Sequence, residues 1–328
     1  MRAVKLVITL LVIAILAACG WFAYAIWGDR SHPQTAQQII VPRGSSFHDI
    51  AAQLSQAGIV GNATAFRLYA KLLRADTTAH AGEYRFAPHQ TAAGVLTQLE
   101  NGGAQIAKWM TIPEGFTAAQ IAQRLQDEGF GDARPYEQAF LRDSMTVDGT
   151  RTKNLEGFLF PSTYLIPNGA SPKTVEDILT AQFRKELPPD AVQKARAHGL
   201  TVPQVVTLAS LIEREAKADD ERALMAGVYY NRLRLGMPLE VDATIEYALP
   251  EHHDVITYRD LNVRSPYNSY LHRGLPPTPI ANPGEASLQA AFNPRPSDYL
   301  YYVYKGNGHH AFARTLAEQN ANIAKYLK

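Results

Sequence analysis

An uncharged run of 22 residues, Leu6 to Trp27, restricts what this chain can fold into more than any other stretch. About 20 apolar residues span the hydrocarbon core of a bilayer as a helix, the form in which a lone segment satisfies its own backbone hydrogen bonds. Arg2 and Lys5 precede the run. Basic flanks stay on the cytoplasmic side, so the chain that follows is expected to be exported. Leu16-Ala17-Ala18-Cys19 also resembles a lipoprotein cleavage box. The apolar run nevertheless continues eight residues past Cys19, through Trp21, Phe22 and Trp27, which favours an uncleaved anchor. Cys19 is the only cysteine, so neither a disulfide framework nor a cysteine metal site is available.

The chain has 328 residues, enough for about two domains. It is 46% hydrophobic and 19% charged, with a net charge of +1. That near-neutral balance argues against nucleic acid as the main partner, because phosphate binding needs a basic face. The sequence divides into a stub and transmembrane helix over 1–28, a polar linker over 29–38, a small α/β module over 39–104, and a larger mixed domain over 105–328. The predicted class is α+β. Ile39 to Val41 suits a strand, Pro42 and Gly44 a turn, and Ser46 a helix cap with Ile50, Ala51 and Leu54 facing inward. The same pattern recurs 71 residues later, with Ile112, Pro113 and Gly115, then Thr117, then Ile121, Ala122 and Leu125. Further elements expected are a helix over Thr64–Leu73, a strand over Gly82–Phe86, a helix over Thr91–Glu100 closed by Gly102-Gly103, a strand at Tyr164–Ile166, and a helix from Pro172 to about Leu187. Near the C-terminus, Tyr299–Tyr304 reads as a strand that turns at Gly306-Asn307-Gly308 and runs back through His310-Ala311-Phe312. A last helix ends at Leu327.

The stretch from Thr207 to Leu249 carries the chemistry. It reads as an apolar helix opened by Pro203 with Glu213 and Glu215 near its end. A second helix follows, capped by Asp219 and Asp220 and stopped at Gly236, and then a strand-like segment ending in Tyr247. At 100° per residue Glu215 falls between Leu208 and Leu211, on the flank of the apolar stripe. Ser210 and Arg214 point away, and Glu213 lies off the opposite flank. A carboxyl beside leucines is partly desolvated, which raises its pKa and keeps a proton available near neutrality, as a general acid requires. The alternative is a helix-edge glutamate paired with Arg222 or another base. The sequence has no G-x-S-x-G, H-E-x-x-H, Walker loop or G-x-G-x-x-G. His252-His253 and His309-His310 are adjacent pairs that cannot easily share one ion, so neither a metal nor a cofactor is expected. The loops after Tyr247 are rich in Pro, Asn and Tyr. Tyr267, Tyr270, Asn268 and Asn282 suit sugar binding through flat faces and amides, or else turn and core roles.

These residues carry a resemblance. Ala209–Glu215 (ASLIERE), Val228–Met237 (VYYNRLRLGM) and Asp242–Tyr247 (DATIEY) resemble the YceG-like family of endolytic murein transglycosylases. So do Tyr267–Tyr270, Gly274–Pro277, Ile280–Gly284 and Gly308–Phe312, and, earlier, Ala81–Phe86, Ile112–Thr117 and Glu156–Tyr164. The resemblance covers nearly the whole chain, with one departure: Ala243 stands where the pattern has proline. It implies a LysM-like module over 39–104 and a catalytic domain over 105–328. It also implies cleavage of the β-1,4 bond between N-acetylmuramic acid and N-acetylglucosamine, with Glu215 as the catalytic acid. Substrate contacts are then expected from Asp242, Thr244, Tyr247, Tyr267, Asn268, Asn282 and His310, with Asp242, Tyr267 and Asn268 converging near Glu215. Peptidoglycan strands and the inner membrane are the implied partners, with penicillin-binding proteins at sites of new wall synthesis. Two other readings fit the same residues. One is a hydrolysing muramidase with Asp242 or Glu246 as second carboxylate, and the other is a non-catalytic, membrane-anchored glycan-binding protein.

Overall fold

The computed structural model of the protein describes residues 2–28, 33, 35–102, 105–249 and 256–327. Residues 29–32 and 34 of the polar linker, Gly103 and the His252-His253 pair lie outside the described residues. The chain forms two compact units. One comprises Met1–Met110 with Tyr164–Asn168, and the other Thr111–Thr163 with Gly169–Lys328.

In the first unit, α1 (Arg2–Ala23) continues into a π-helical turn, Tyr24–Gly28. Val4–Gly28 is long and apolar enough to cross a membrane. Next come β1 (Gln37–Val41), α2 (Phe47–Gln56), α3 (Ala63–Leu73), β2 (Gly82–Phe86), α4 (Ala92–Asn101) and β3 (Gln105–Thr111). β1 and β2 pair antiparallel, from Gln37 opposite Phe86 to Val41 opposite Gly82. The sheet has the order β1-β2-β3-β6, β6 being Thr163–Pro167. Ser46, Asn62 and Thr91 cap the three helices, each accepting a backbone N–H three residues on. The core under the sheet holds Leu54, Phe66, Tyr84, Phe86, Leu96 and Leu99.

The second unit opens with α5 (Ala118–Asp127) and α6 (Ala133–Arg142), followed by a short hairpin of β4 (Thr146–Val147) and β5 (Thr150–Arg151). The 71-residue repeat holds here in detail. Thr117 caps α5 as Ser46 caps α2, and the helices leave by the same turn, with Phe130 N–H donating to Leu125 O and Ile59 N–H to Leu54 O, both at 2.9 Å. Gly129 and Gly58 sit in the two turns at φ +77° and +71°, which glycine adopts without cost.

α7 (Pro172–Glu186) and α8 (Ala191–Ala197) lead to α9 (Val202–Glu215). α9 begins with a capping box between Thr201 and Gln204, and Pro203 sits in its first turn. Val205, Val206, Leu208, Ala209, Leu211 and Ile212 are all fully buried, so this is a core helix, apolar nearly all round. Ser210, expected to point away, is also fully buried; its hydroxyl donates to Thr207 O and accepts from Ile280 N–H, tying the 280 loop to the helix.

α10 (Asp219–Leu235) starts from Ala218. Asp219 and Asp220 lie in its first turn instead of capping it, where negative charge still complements the helix dipole. The segment read as strand-like is a helix, α11 (Asp242–Ala248). Its β-branched Thr244 and Ile245 suggest a strand, but Ala243, Thr244 and Ile245 are buried consecutively, which a helix packed on α9 allows and an alternating strand does not. α12 (Glu285–Phe292) packs on α9 and α10. The chain ends with β7 (Tyr301–Tyr304), antiparallel to β8 (His310–Ala313), and α13 (Leu316–Tyr326).

Candidate active site

Glu215 is the last residue of α9. It lines a cleft of about 470 Å³ with Glu114, Gly115, Glu213, Arg214, Lys217, Asp242, Ala243, Glu246, Tyr304 and His310. Four segments distant in sequence supply these walls, and three of them are held by specific bonds. Gly115 N–H donates to Asn282 O at 2.9 Å, Arg214 pairs with Glu246 at 2.8 Å, and Gly284 N–H donates to Glu213 at 3.0 Å. Arg222, expected as a possible partner of Glu215, lies 3.7 Å from Glu213 and 2.9 Å from Asp219. Glu213 therefore shares the cleft with Glu215 but has its carboxylate occupied.

The Glu215 carboxyl has a pKa raised to about 7. Burial is the largest cause and the neighbouring Asp242 charge the next; hydrogen bonds from Tyr302 and the Ala243 N–H, and the Lys217 charge, hold it from rising further. Tyr302 donates to Oε2 at 3.1 Å, and the Tyr229 hydroxyl lies 2.8 Å from that of Tyr302. Because Tyr302 spends its proton on Glu215, Tyr229 is the donor between the two phenols. Burial drives both phenols well above their usual range, so they remain donors. Ala243 bears on the departure noted above: proline carries no N–H, so this chain offers its acid a backbone donor that the family pattern lacks.

One guanidinium braces this arrangement. Arg232, nearly buried, donates to Leu300 O at 2.7 Å, to Pro238 O at 3.0 Å, to Leu239 O at 2.8 Å and to Glu240 at 3.0 Å. It thereby fixes the residues just before Tyr302 and just before Asp242.

The other expected contacts divide. Asp242 reaches the cleft and accepts from the Tyr270 hydroxyl. His310 also lines it, with its backbone N–H and ring Nδ1 each 3.0 Å from the Glu221 carboxylate. Thr244 is fully buried, its hydroxyl bonded to Val241 O and Ser269. Asn268 is fully buried too, and its amide donates to Leu261 O and Val263 O, shaping its own loop. Tyr267 bonds Thr278 at 2.7 Å and packs on the Tyr247 ring. The expected convergence near Glu215 therefore extends to Asp242 alone. Asn268 and Tyr267 are spent on the loop, because a long non-helical segment must satisfy its own backbone.

Asn282 and Tyr247 serve a carboxylate that sequence reasoning passed over. Glu156 is 1% exposed. It accepts from Ala118 N–H at 3.0 Å, from the Asn282 amide at 3.0 Å and from Tyr247 at 3.3 Å. Burial raises its pKa to about 7 against these donors. The network joins the first turn of α5, the 156–161 turn, α11 and the 280 loop, and so sets two walls of the cleft. Tyr229 and Tyr302 were also missed. The only signal was aromatic alternation in the strand, which does not say that a tyrosine points at an acid 87 residues away.

A larger cleft of about 1410 Å³ lies toward the other end of α9, lined by Arg151, Lys153, His198, Arg234 and Arg295 among others. None of its lining residues is a carboxylate, so it offers no acid of the Glu215 kind.

Tyr302 and Asp242 act on Glu215 with opposite signs. A general acid acts protonated, so kcat/KM falls as pH rises through its pKa in the free enzyme. Tyr302→Phe removes a donor that favours the charged form, and the alkaline limb is expected to move up by about one pH unit. Asp242→Asn removes a like charge, and the limb is expected to move down. Shifts in the same direction in pH–rate profiles would exclude Glu215 as the titrating group.

A profile of the YceG-like family matches residues 39–325. An endolytic murein transglycosylase of Bacillus subtilis is 35% identical over 90% of this chain and 86% of its own length. One of Streptococcus pneumoniae is 31% identical over 97% of this chain, which spans 64% of that longer protein. The crystal structure of a yceG-like protein of Listeria monocytogenes superposes with a TM-score of 0.62 at 30% identity, covering 88% of this chain and 99% of that one. With a profile matched over residues 39–325, in parts of both units, and a solved relative of the same fold, this chain belongs to the YceG-like family.

Proposed function

We propose that the protein is a membrane-anchored lytic transglycosylase of peptidoglycan, with Glu215 as its single acid and base. The observation that carries the reading is the Glu215 carboxyl itself, poised at about 7 on the wall of a polar cleft. Glu215 protonates the oxygen leaving C1 of N-acetylmuramic acid, and the β-1,4 bond to N-acetylglucosamine breaks. The muramic 6-hydroxyl attacks C1 and gives its proton to the Glu215 carboxylate. The acid is regenerated, no water is consumed, and the product ends in a 1,6-anhydro sugar. Asp242, exposed in the same cleft, bears negative charge beside the developing oxocarbenium ion. Glu246 is paired with Arg214, so of the two carboxylates named for a hydrolytic route Asp242 is the better placed.

The anchor places the N-terminus in the cytoplasm and the catalytic unit on the outer side of the inner membrane, where glycan strands are laid down. The 39–104 module is LysM-like and grips glycan, while residues 105–328 cut it. Mass spectrometry of fragments released from purified murein tests the reaction. Internal fragments with 1,6-anhydro ends are expected; free reducing ends, heavier by one water, would establish hydrolysis instead.

A further inference from the structure

The first unit exposes an apolar face where its anchor emerges. On α3, Ala65, Phe66 and Ala70 face the core. Its outer side presents Leu68 and Leu72, which are 50% and 67% exposed, and Leu73, exposed in the last turn, lies on the Phe66 side of the helix. Arg67, Lys71 and Arg74 are exposed among them, and the segment 63–74 contains no acid. Leu68 and Leu72 are four residues apart, as are Arg67 and Lys71, so bases and leucines form adjoining stripes on one side. Soluble surfaces rarely gather large apolar side chains in this way.

The position of α3 relative to the anchor is fixed. Ile26, in the π-turn that ends the apolar helix, is fully buried in the core of the module, with Phe22 and Ala25 packed beside it. The Trp27 ring meets the Tyr69 ring of α3 edge-on, with centroids 5.3 Å apart. Trp21, Tyr24 and Trp27 are the aromatic residues expected where a membrane helix passes through the headgroup layer. α3 is thus joined by a side-chain contact to the residue that marks the outer interface.

We infer that α3 is a second membrane contact. It lies in the plane of the outer leaflet surface, with Leu68 and Leu72 in the acyl boundary and Arg67, Lys71 and Arg74 on anionic lipid phosphates. The inference rests on reading α1 as membrane-spanning. The first unit then rides on the bilayer instead of swinging on a tether.

The test uses the full chain carrying Cys19→Ser, reconstituted in vesicles of phosphatidylethanolamine and phosphatidylglycerol. An environment-sensitive fluorophore is attached at Leu72→Cys, at Leu11→Cys in the anchor, or at Gln38→Cys on the side of β1 turned away from the core. Lipids carrying a nitroxide high on the acyl chain serve as quencher. Quenching at positions 11 and 72, but not at 38, is the expected result. Quenching at 11 without quenching at 72 would overturn the α3 contact and leave the anchor standing. Absence of quenching at 11 would remove the anchor and the inference together. Reversing charge at Arg67, Lys71 and Arg74 to glutamate is expected to cut quenching at 72 by about half while leaving 11 unchanged. No change at 72 would overturn the phosphate contacts.

Discussion

Glu215→Gln is expected to abolish formation of anhydro ends, lowering the cleavage rate by about 10⁴-fold, with the fold intact. Glutamine keeps the shape of the side chain and can still accept from Tyr302, but it has no proton to deliver. General acid–base catalysis is typically worth 10²–10⁴-fold, about 3–5 kcal/mol of barrier. One residue here performs both proton steps, so the loss belongs at the top of that range. Glu213→Gln is the informative companion. Its carboxylate accepts from Gly284 N–H and lies near Arg222, so its loss perturbs a wall of the cleft without removing a proton donor. A loss below about 10²-fold is expected. Product analysis and circular dichroism on both variants decide the matter. A dead Glu213→Gln beside an active Glu215→Gln would reverse the assignment, and two active variants would place the acid elsewhere.

Gly157→Ala is expected to have the largest effect on stability. Gly157 holds φ +88°, and a Cβ built on it runs into the Pro279 ring, with Val206 at 3.3 Å behind. The proline ring cannot rotate away, so the backbone would have to move. Strain at positive φ costs about 1–3 kcal/mol and overpacking a similar amount, together about 3–5 kcal/mol. For a unit of this size that is a fall in Tm of about 10 °C or more. The backbone in question also carries Glu156 and the Gly157 N–H that donates to it, so activity should fall with it. A thermal melt matching the parent protein would refute the account of why this turn contains glycine.

What could be read in advance depended on how local the physics was. The apolar N-terminal helix, the Ser46 and Thr117 caps and the C-terminal hairpin follow from neighbours within a few residues, and the structure contains them. The apolar flank of α9 suggested a raised pKa for Glu215, and the structure gives that direction through burial at the end of the helix. α11 was misread because Thr244 and Ile245 favour strands in isolation, whereas burial against α9 decides their conformation. Asn268 and Asn282 looked available because polar residues in Pro-rich loops often face ligands, and Thr244 was expected in the site only from the resemblance. Each is consumed by backbone or by a buried acid far along the chain. The Tyr229–Tyr302–Glu215 chain joins α10, β7 and α9, and no periodicity within a single element predicts it.

Arg232 gives the site a property that none of the cleft residues has alone. The strand bearing Tyr302 and the turn bearing Asp242 are pinned to the same guanidinium. Tyr302 pulls the acid's pKa down and Asp242 pushes it up. A displacement that loosens this common mount carries both influences away from Glu215 together, and their losses oppose each other. The two influences that share this mount therefore offset each other in part, and burial, the largest cause, is left to set the acidity of Glu215.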